Sequence, residues 1–143
     1  MSEPPPTRED YATVLQIPTR WADNDVYGHV NNVQYFAFFD TVINHWLIHD
    51  GGLDIHSGPV IGLCAESHCE YRAALEFPGV VDAALRVGQL GRSSVRYELE
   101  LGREGEPGAL AEGWFVHVFV DRETRRPTAL PGPLRAALEK LVR

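Results

Sequence analysis

Lysine is nearly missing from this 143-residue chain: of thirteen basic residues only Lys140 is a lysine, and the rest are arginine. Twenty acidic residues outweigh them and leave a formal charge of −7, which argues against general affinity for a polyanion such as DNA. A local guanidinium patch for a small phosphorylated ligand stays compatible with that charge. Cysteine occurs only twice, at Cys64 and Cys69, too rarely for a disulfide framework. No apolar run approaches the roughly 20 residues that cross a bilayer. The opening MSEPPPTRED has neither the basic region nor the apolar stretch of a secretory signal, so the expected compartment is the reducing cytoplasm. Also missing are a phosphate-binding P-loop, a dinucleotide glycine fingerprint and a Gly-x-Ser-x-Gly elbow. Ser93 and Ser94 have no His and Asp at a recognisable spacing, which excludes a serine hydrolase. What is present, 44% hydrophobic and 23% charged residues, suits one compact domain with a substantial core.

Residues 1–10 are Pro-rich and charged and read as a loose segment, leaving 11–143 as the single domain. Thr13, Leu15, Ile17 and Thr19 alternate along a first strand, and Pro18 restricts that strand to a sheet edge or to its own end. Asn31 and Asn32 can cap a helix running to about Asp50, where Gly51-Gly52 stops it. Its apolar residues, from Val33 through Phe36, Phe39 and Ile43 to Trp46 and Ile48, cover nearly the whole circumference. Such a helix should be buried nearly all round, by a wrapped sheet, a subunit partner or both. From Val60 onward the period becomes two, through Val60–Arg72, Val81–Gly88 and Val95–Leu101, the pattern of a half-buried antiparallel sheet. Trp114–Val120 is apolar on both faces except for His117 and predicts a central or interface strand. A short helix with Pro133 near its start closes the chain. Strand, buried helix, four strands and helix make an α+β fold.

The densest cluster of chemistry-bearing residues joins the first strand to the apolar helix: Asp23, Asp25, Gly28, His29, Asn31 and Asn32. Free backbone amides at a helix start, with the helix dipole behind them, can polarise a carbonyl or hold an oxyanion. A carboxylate nearby can then serve as base or nucleophile. An ordinary turn with Asp and Asn caps accounts for the same residues equally well on local chemistry alone.

The string Asp23-Asn24-Asp25-Val26-Tyr27-Gly28-His29-Val30-Asn31-Asn32-x-x-Tyr35 resembles the D-x-D-x-x-G-H-V-N-N-x-x-Y signature of hotdog-fold acyl-CoA thioesterases of the 4-hydroxybenzoyl-CoA thioesterase-like group. The element order, Arg92-Ser93-Ser94 at a strand turn and Val118–Asp121 in the final strand extend the resemblance over most of the chain. It implies an antiparallel sheet wrapped around the central helix and hydrolysis of a CoA thioester without metal or cofactor. It also implies a homodimer or homotetramer whose sites draw residues from two chains. Position by position, it puts the catalytic carboxylate on Asp25 and the substrate-binding turn on Gly28, His29, Val30, Asn31 and Asn32, with amides around Asn31 and Asn32 on the thioester oxygen. Arg92, with Ser93 and Ser94 beside it, is a reasonable contact for CoA phosphates, and Arg72 is another. Asp23 would brace the turn. Plant acyl-carrier-protein thioesterases are similar around the same helix start, but their Asp-x-Asn-x-His set meets Tyr27 at the asparagine position. Asp40, on the helix, is the rival acid, and burial there would demand partners. A non-catalytic acyl or aromatic binder on the same fold is the alternative outside enzymology. A hydratase would need Asp five residues before His29, where Asn24 stands.

The remaining polar residues read as structural. His45 and His49 share a helix face but lack the glutamate of H-E-x-x-H, so no metal is expected. Cys64 and Cys69, an odd number of positions apart on a strand, should point to opposite faces unless a bulge intervenes. His68 shares a polar face with Glu66 and Glu70, and His117 reads as a satisfied histidine at an interface.

Overall fold

The computed structural model describes residues 8–143. Five antiparallel strands form one sheet: β1 (Thr13–Pro18), β2 (Val60–Tyr71), β3 (Val80–Leu90), β4 (Ser94–Arg103) and β5 (Ala111–Asp121), in the order β1-β3-β4-β5-β2. The long helix α1 (Asn32–His49) leaves edge strand β1 and delivers the chain to the opposite edge strand, β2, so it must cross the whole sheet. A second helix, α2 (Gly132–Glu139), follows β5. Pro18, with no N–H to give a ladder, ends edge strand β1, as its chemistry requires.

The helix boundaries follow from local chemistry. Asn31 is in extended geometry, and its side-chain oxygen accepts the Val33 N–H at 3.0 Å, satisfying one orphan donor of the first turn. At the other end the Asp50 and Gly51 amides both donate to the Trp46 carbonyl. A Cβ on Gly51 would lie 2.8 Å from the Leu47 carbonyl oxygen, and Gly52 has φ +69°, so both glycines are needed for the exit.

One face of α1, through Tyr35, Phe38, Phe39, Val42, Ile43, Trp46 and Leu47, packs on the inner sheet face of Leu85, Tyr97, Leu99, Phe115 and Phe119. Gly113 lets Phe39 press against the sheet, since a Cβ there would stand 2.8 Å from the ring. Within one subunit the helix is not buried all round. Val33 (65% exposed), Ala37, Asp40, Thr41, His45 and Ile48 form an open stripe, because this sheet covers only one side of the helix. Asp40 therefore meets no burial cost; it is exposed, with Asn44 Nδ2 at 3.0 Å.

A bulge between Cys64 and Glu66 resets the alternation of β2. Cys64 then faces His117 and Cys69 faces Gly113, so the two thiols share a face, contrary to simple counting. Four ladder steps at about 3.3 Å still separate them by roughly 13 Å, and both are free. His117 also departs from expectation. It lies on the inner face among Tyr97, Phe115 and Phe119, 3% exposed, in the core of the subunit. Beyond the bulge the polar face holds as expected: His68 stacks on Trp114 at 4.0 Å, and Glu66 accepts the indole N–H at 3.0 Å.

Residues 1–7 of the expected loose segment lie outside the described residues. Arg8–Asp10 form a single 3-10 turn anchored on the outer sheet face, where Arg8 meets Asp82 at 2.9 Å and lies 3.7 Å from Glu100. Burial pushes Glu100 (1% exposed) above the usual carboxylate range, and the nearby Arg8 only partly opposes that.

Candidate active site

The turn between β1 and α1 is fixed from its first residue. Asp23 is buried, and its carboxylate accepts the Arg20 backbone N–H at 2.7 Å and the Arg20 guanidinium at 2.8 and 3.0 Å. Its carbonyl accepts the Asn31 N–H at 2.9 Å, tying the start of the turn to the helix cap. Asn24 accepts the Phe77 N–H, and the Val30 amide donates to Leu75, which pins the loop to the segment ahead of β3. Between these anchors the chain reverses at Asp25–Gly28: the Gly28 N–H donates to the Asp25 carbonyl, and φ at Gly28 is +84°.

Asp25 is half-buried on this turn. One carboxylate oxygen accepts the Tyr27 N–H at 2.9 Å, and the other accepts Asn31 Nδ2 at 3.2 Å. Asn31 thus has two tasks, capping α1 through its oxygen and holding Asp25 through its nitrogen. Each Asp25 oxygen keeps a lone pair free after these bonds.

The amides at the helix start are not equally open. Asn31 N–H is taken by Asp23, Val33 N–H by the Asn31 side chain and Gln34 N–H by the Asn31 carbonyl. The Asn32 N–H has no hydrogen-bond partner among the described residues, so of the two amides expected there Asn32 offers the open donor. Beside it lies a cavity of about 270 Å³ lined by Val30, Asn32, Tyr35, Tyr71 and Arg72. Tyr71, which no sequence motif singled out, donates to the Asn32 carbonyl at 3.2 Å and packs edge-on to Tyr35 with ring centres 4.9 Å apart. Tyr35 in turn accepts the Leu75 N–H at 3.0 Å. Burial pushes the Tyr71 phenol up to about 12 and the Cys69 thiol up to about 11, so neither supplies an anionic nucleophile near neutral pH. His29 is exposed, and its ring has no hydrogen bond among the described residues.

Arg92, Ser93 and Ser94 are at the other end of the subunit. Tyr71, at the site, pairs with Ala111, whereas Ser94 pairs with Val118. Seven ladder steps make the separation roughly 23 Å. One protomer therefore does not bring Arg92 to Asp25. Arg92 is exposed, and its carbonyl accepts the Leu130 N–H; the Ser93 carbonyl accepts that of Phe119. Arg72 is nearer the helix start but is held by Glu112 at 2.7 Å. A larger concavity of about 700 Å³ on the outer face is lined by Glu9, Asp82, Glu106 and Glu112 against Arg8 and Arg72, which are already paired with Asp82 and Glu112, a poor environment for an anionic ligand. The His45 and His49 rings lie 4.4 Å apart, tilted by 44°, and no group of three metal-binding side chains occurs among the described residues. None of the described helices is long and apolar enough to cross a membrane.

Residues 19–138 match the model of the thioesterase-like superfamily. The chain is 55% identical to the PA5185 protein of Pseudomonas aeruginosa strain PAO1, covering 97% of both chains with a TM-score of 0.94. It is 26% identical over 129 residues to the long-chain acyl-CoA thioesterase FadM of Escherichia coli K12, covering 90% of this chain and 98% of that protein. The 1,4-dihydroxy-2-naphthoyl-CoA thioesterase of Synechocystis shares the fold at a TM-score of 0.80 and 19% identity, over 90% of this chain and 96% of that one. The chain belongs to the thioesterase-like superfamily and is a thioester hydrolase built on the hotdog fold.

Proposed function

We propose that the protein is a cytoplasmic acyl-CoA thioesterase in which Asp25 drives release of CoA and the open Asn32 amide, at the head of α1, receives the thioester oxygen. The observation that carries this reading is the double role of Asn31. It holds the Asp25 carboxylate 3.2 Å from its own amide nitrogen while capping the helix whose next N–H is left open. The base, Asp25, and the oxyanion donor, the Asn32 N–H, are thereby both positioned through Asn31 before substrate arrives.

In one route Asp25 takes a proton from water, the hydroxide adds to the thioester carbon, and the tetrahedral intermediate expels CoA thiolate to leave the free acid. In the other, the carboxylate itself adds, CoA thiolate leaves, and water then hydrolyses the mixed anhydride. In a single turnover in ¹⁸O-water, label found in Asp25 establishes the anhydride route, because the base route puts label only in the released acid. Gly28, His29 and Val30 shape the turn against the substrate, and no metal or cofactor takes part.

A homo-oligomer completes this reading. β2 is an edge strand twelve residues long whose middle is exposed, a row of unpaired backbone groups suited to a second copy. The open stripe of α1 through Val33, Ala37 and Ile48 also presents apolar surface. Because Ser94 lies roughly 23 Å along the sheet from Tyr71, which is at the site, Arg92, Ser93 and Ser94 of one chain contact CoA bound at the partner's site. The test is a panel of short, long and aromatic acyl-CoAs with a thiol reagent reporting released CoA, run beside sedimentation of the same sample. Turnover by a dimer or tetramer supports the reading. Tight acyl-CoA binding without thiol release would instead make the protein a ligand binder.

A further inference from the structure

At the opposite end of α1 from Asp25 lies a second cavity, of about 240 Å³, walled by Leu47, Leu53, Ile55 and Ile61 and bearing two polar side chains, Asn44 and His117. His117 is 3% exposed, and its Nδ1 lies 3.1 Å from the hydroxyl of Tyr97, which is itself fully buried. That hydroxyl has no other partner among the described residues, so it must donate to Nδ1 or leave a buried O–H unsatisfied. The ring proton then belongs to Nε2. Nε2 has no protein partner among the described residues, yet it is not among the sealed unsatisfied atoms, and this cavity is the space His117 lines. Asn44 spends its amide nitrogen on Asp40, at 2.9 and 3.0 Å, which leaves its carbonyl oxygen as an acceptor. The cavity therefore combines one donor and one acceptor with four aliphatic walls.

Water would meet only that one donor and one acceptor, the minimum of the two to four partners it needs, and would leave the four aliphatic walls uncovered. A hydroxyl on an apolar chain matches it, accepting from His117 and donating to Asn44. Twelve residues of α1 separate Asn32 from Asn44, about 18 Å at the helical rise, the span of a long acyl chain. Gly62 keeps the space open beside the imidazole, since a Cβ there would lie 3.3 Å from His117 Cγ and Nδ1.

We propose that this cavity is a subsite for the distal hydroxyl of a long acyl chain, giving preference for ω-hydroxyacyl over plain acyl thioesters. It rests on the reading of the protein as an acyl-CoA thioesterase. Burial holds the His117 imidazole near 4, so at neutral pH it is an uncharged donor and gives no advantage to an ω-carboxylate.

The test compares ω-hydroxyhexadecanoyl-CoA with hexadecanoyl-CoA as substrates, and the two free acids as calorimetric ligands, on wild type and on the double variant His117→Phe with Tyr97→Phe. The double change removes both ends of the buried hydrogen bond together, so neither is stranded. The expected result is about a tenfold higher kcat/KM and affinity for the hydroxylated member of each pair. In the variant that ratio falls to one, whatever the change in the absolute rate on hexadecanoyl-CoA. Gly62→Ala, a smaller perturbation, should reduce the ratio. Equal rates and equal binding within each pair on wild type overturn the subsite, as does a ratio that survives the double variant. Preferential binding of the hydroxy acid with no hydrolysis of either thioester keeps the subsite and rejects the thioesterase reading instead.

Discussion

Substitution of Asn31 separates stability from rate at one residue. Its oxygen caps α1 through Val33 N–H at 3.0 Å, and its nitrogen holds Asp25 at 3.2 Å. Asn31→Asp keeps a capping oxygen of equal rank and adds charge favourable to a helix N-terminus, which offsets part of the lost bond to Asp25, so melting temperature should fall by no more than a few degrees. The same change replaces the donor facing Asp25 with a carboxylate at about 3 Å. Losing a hydrogen bond to a charged group costs about 1.5–3 kcal/mol, and partial exposure of both residues favours the lower figure. If that bond holds Asp25 in its reactive position, kcat falls about tenfold with little change in KM. Asn31→Ala is the complement: it loses cap and donor together, about 1 kcal/mol of stability and a similar tenfold in rate. Thermal melts and steady-state kinetics on both proteins suffice. Wild-type kcat in a folded Asn31→Asp protein would refute the positioning role.

Other outcomes follow from single residues. Because His117 is held neutral to about pH 4 while a free histidine protonates near 6.5, its contribution to stability is complete above pH 6.5. It is lost as pH falls toward 4, by up to about 3 kcal/mol, and the His117→Phe, Tyr97→Phe protein should show a correspondingly flatter denaturant-melt profile there. Glu100 has the opposite sign: its raised pKa means the fold favours the protonated acid, so stability from this group is lost as pH rises. Glu100→Gln should therefore raise the melting temperature at pH 8, with the gap closing toward pH 4. Arg92→Ala should raise KM for acyl-CoA by roughly tenfold or more, the effect of a charge-assisted phosphate contact, with kcat nearly unchanged; an unaltered KM would assign Arg92 to ordinary surface.

Local chemistry made much of the architecture legible. The Asn cap, the Gly51-Gly52 stop and the change of period at Val60 report short-range physics, and the elements lie where those signals put them. Packing was less legible. The apolar circumference of α1 predicted burial all round, yet the sheet reaches one face, since helical periodicity cannot say how many surfaces are available. Parity counting misplaced Cys64 relative to Cys69 because one extra residue at a bulge leaves no composition signal. Around the candidate site, the D-x-D turn marked Asp25, but not that Asn31 would hold it or that Asn32 rather than Asn31 would keep a free amide. Those depend on which acceptors the fold brings close. Tyr71 could have been found only by knowing that β2 ends beside the helix start. The distance between Arg92 and Asp25 likewise exists only once strand register is fixed.

The most direct measurement of the central claim is single-turnover hydrolysis of an accepted acyl-CoA by Asp25→Asn, with Asp23→Asn and Asp40→Asn prepared alongside. Asparagine preserves the size and the oxygen that accepts Tyr27 N–H, but it is neutral and a poor base or nucleophile. Asp25→Asn should remain folded and bind acyl-CoA while the chemical step slows at least ~100-fold. Asp23→Asn should lose stability first, since its carboxylate is buried on Arg20, and Asp40→Asn, at an exposed position, should behave as wild type. A folded Asp25→Asn protein that turns over normally beside an inactive, folded Asp40→Asn protein would contradict the account and move the catalytic acid onto α1.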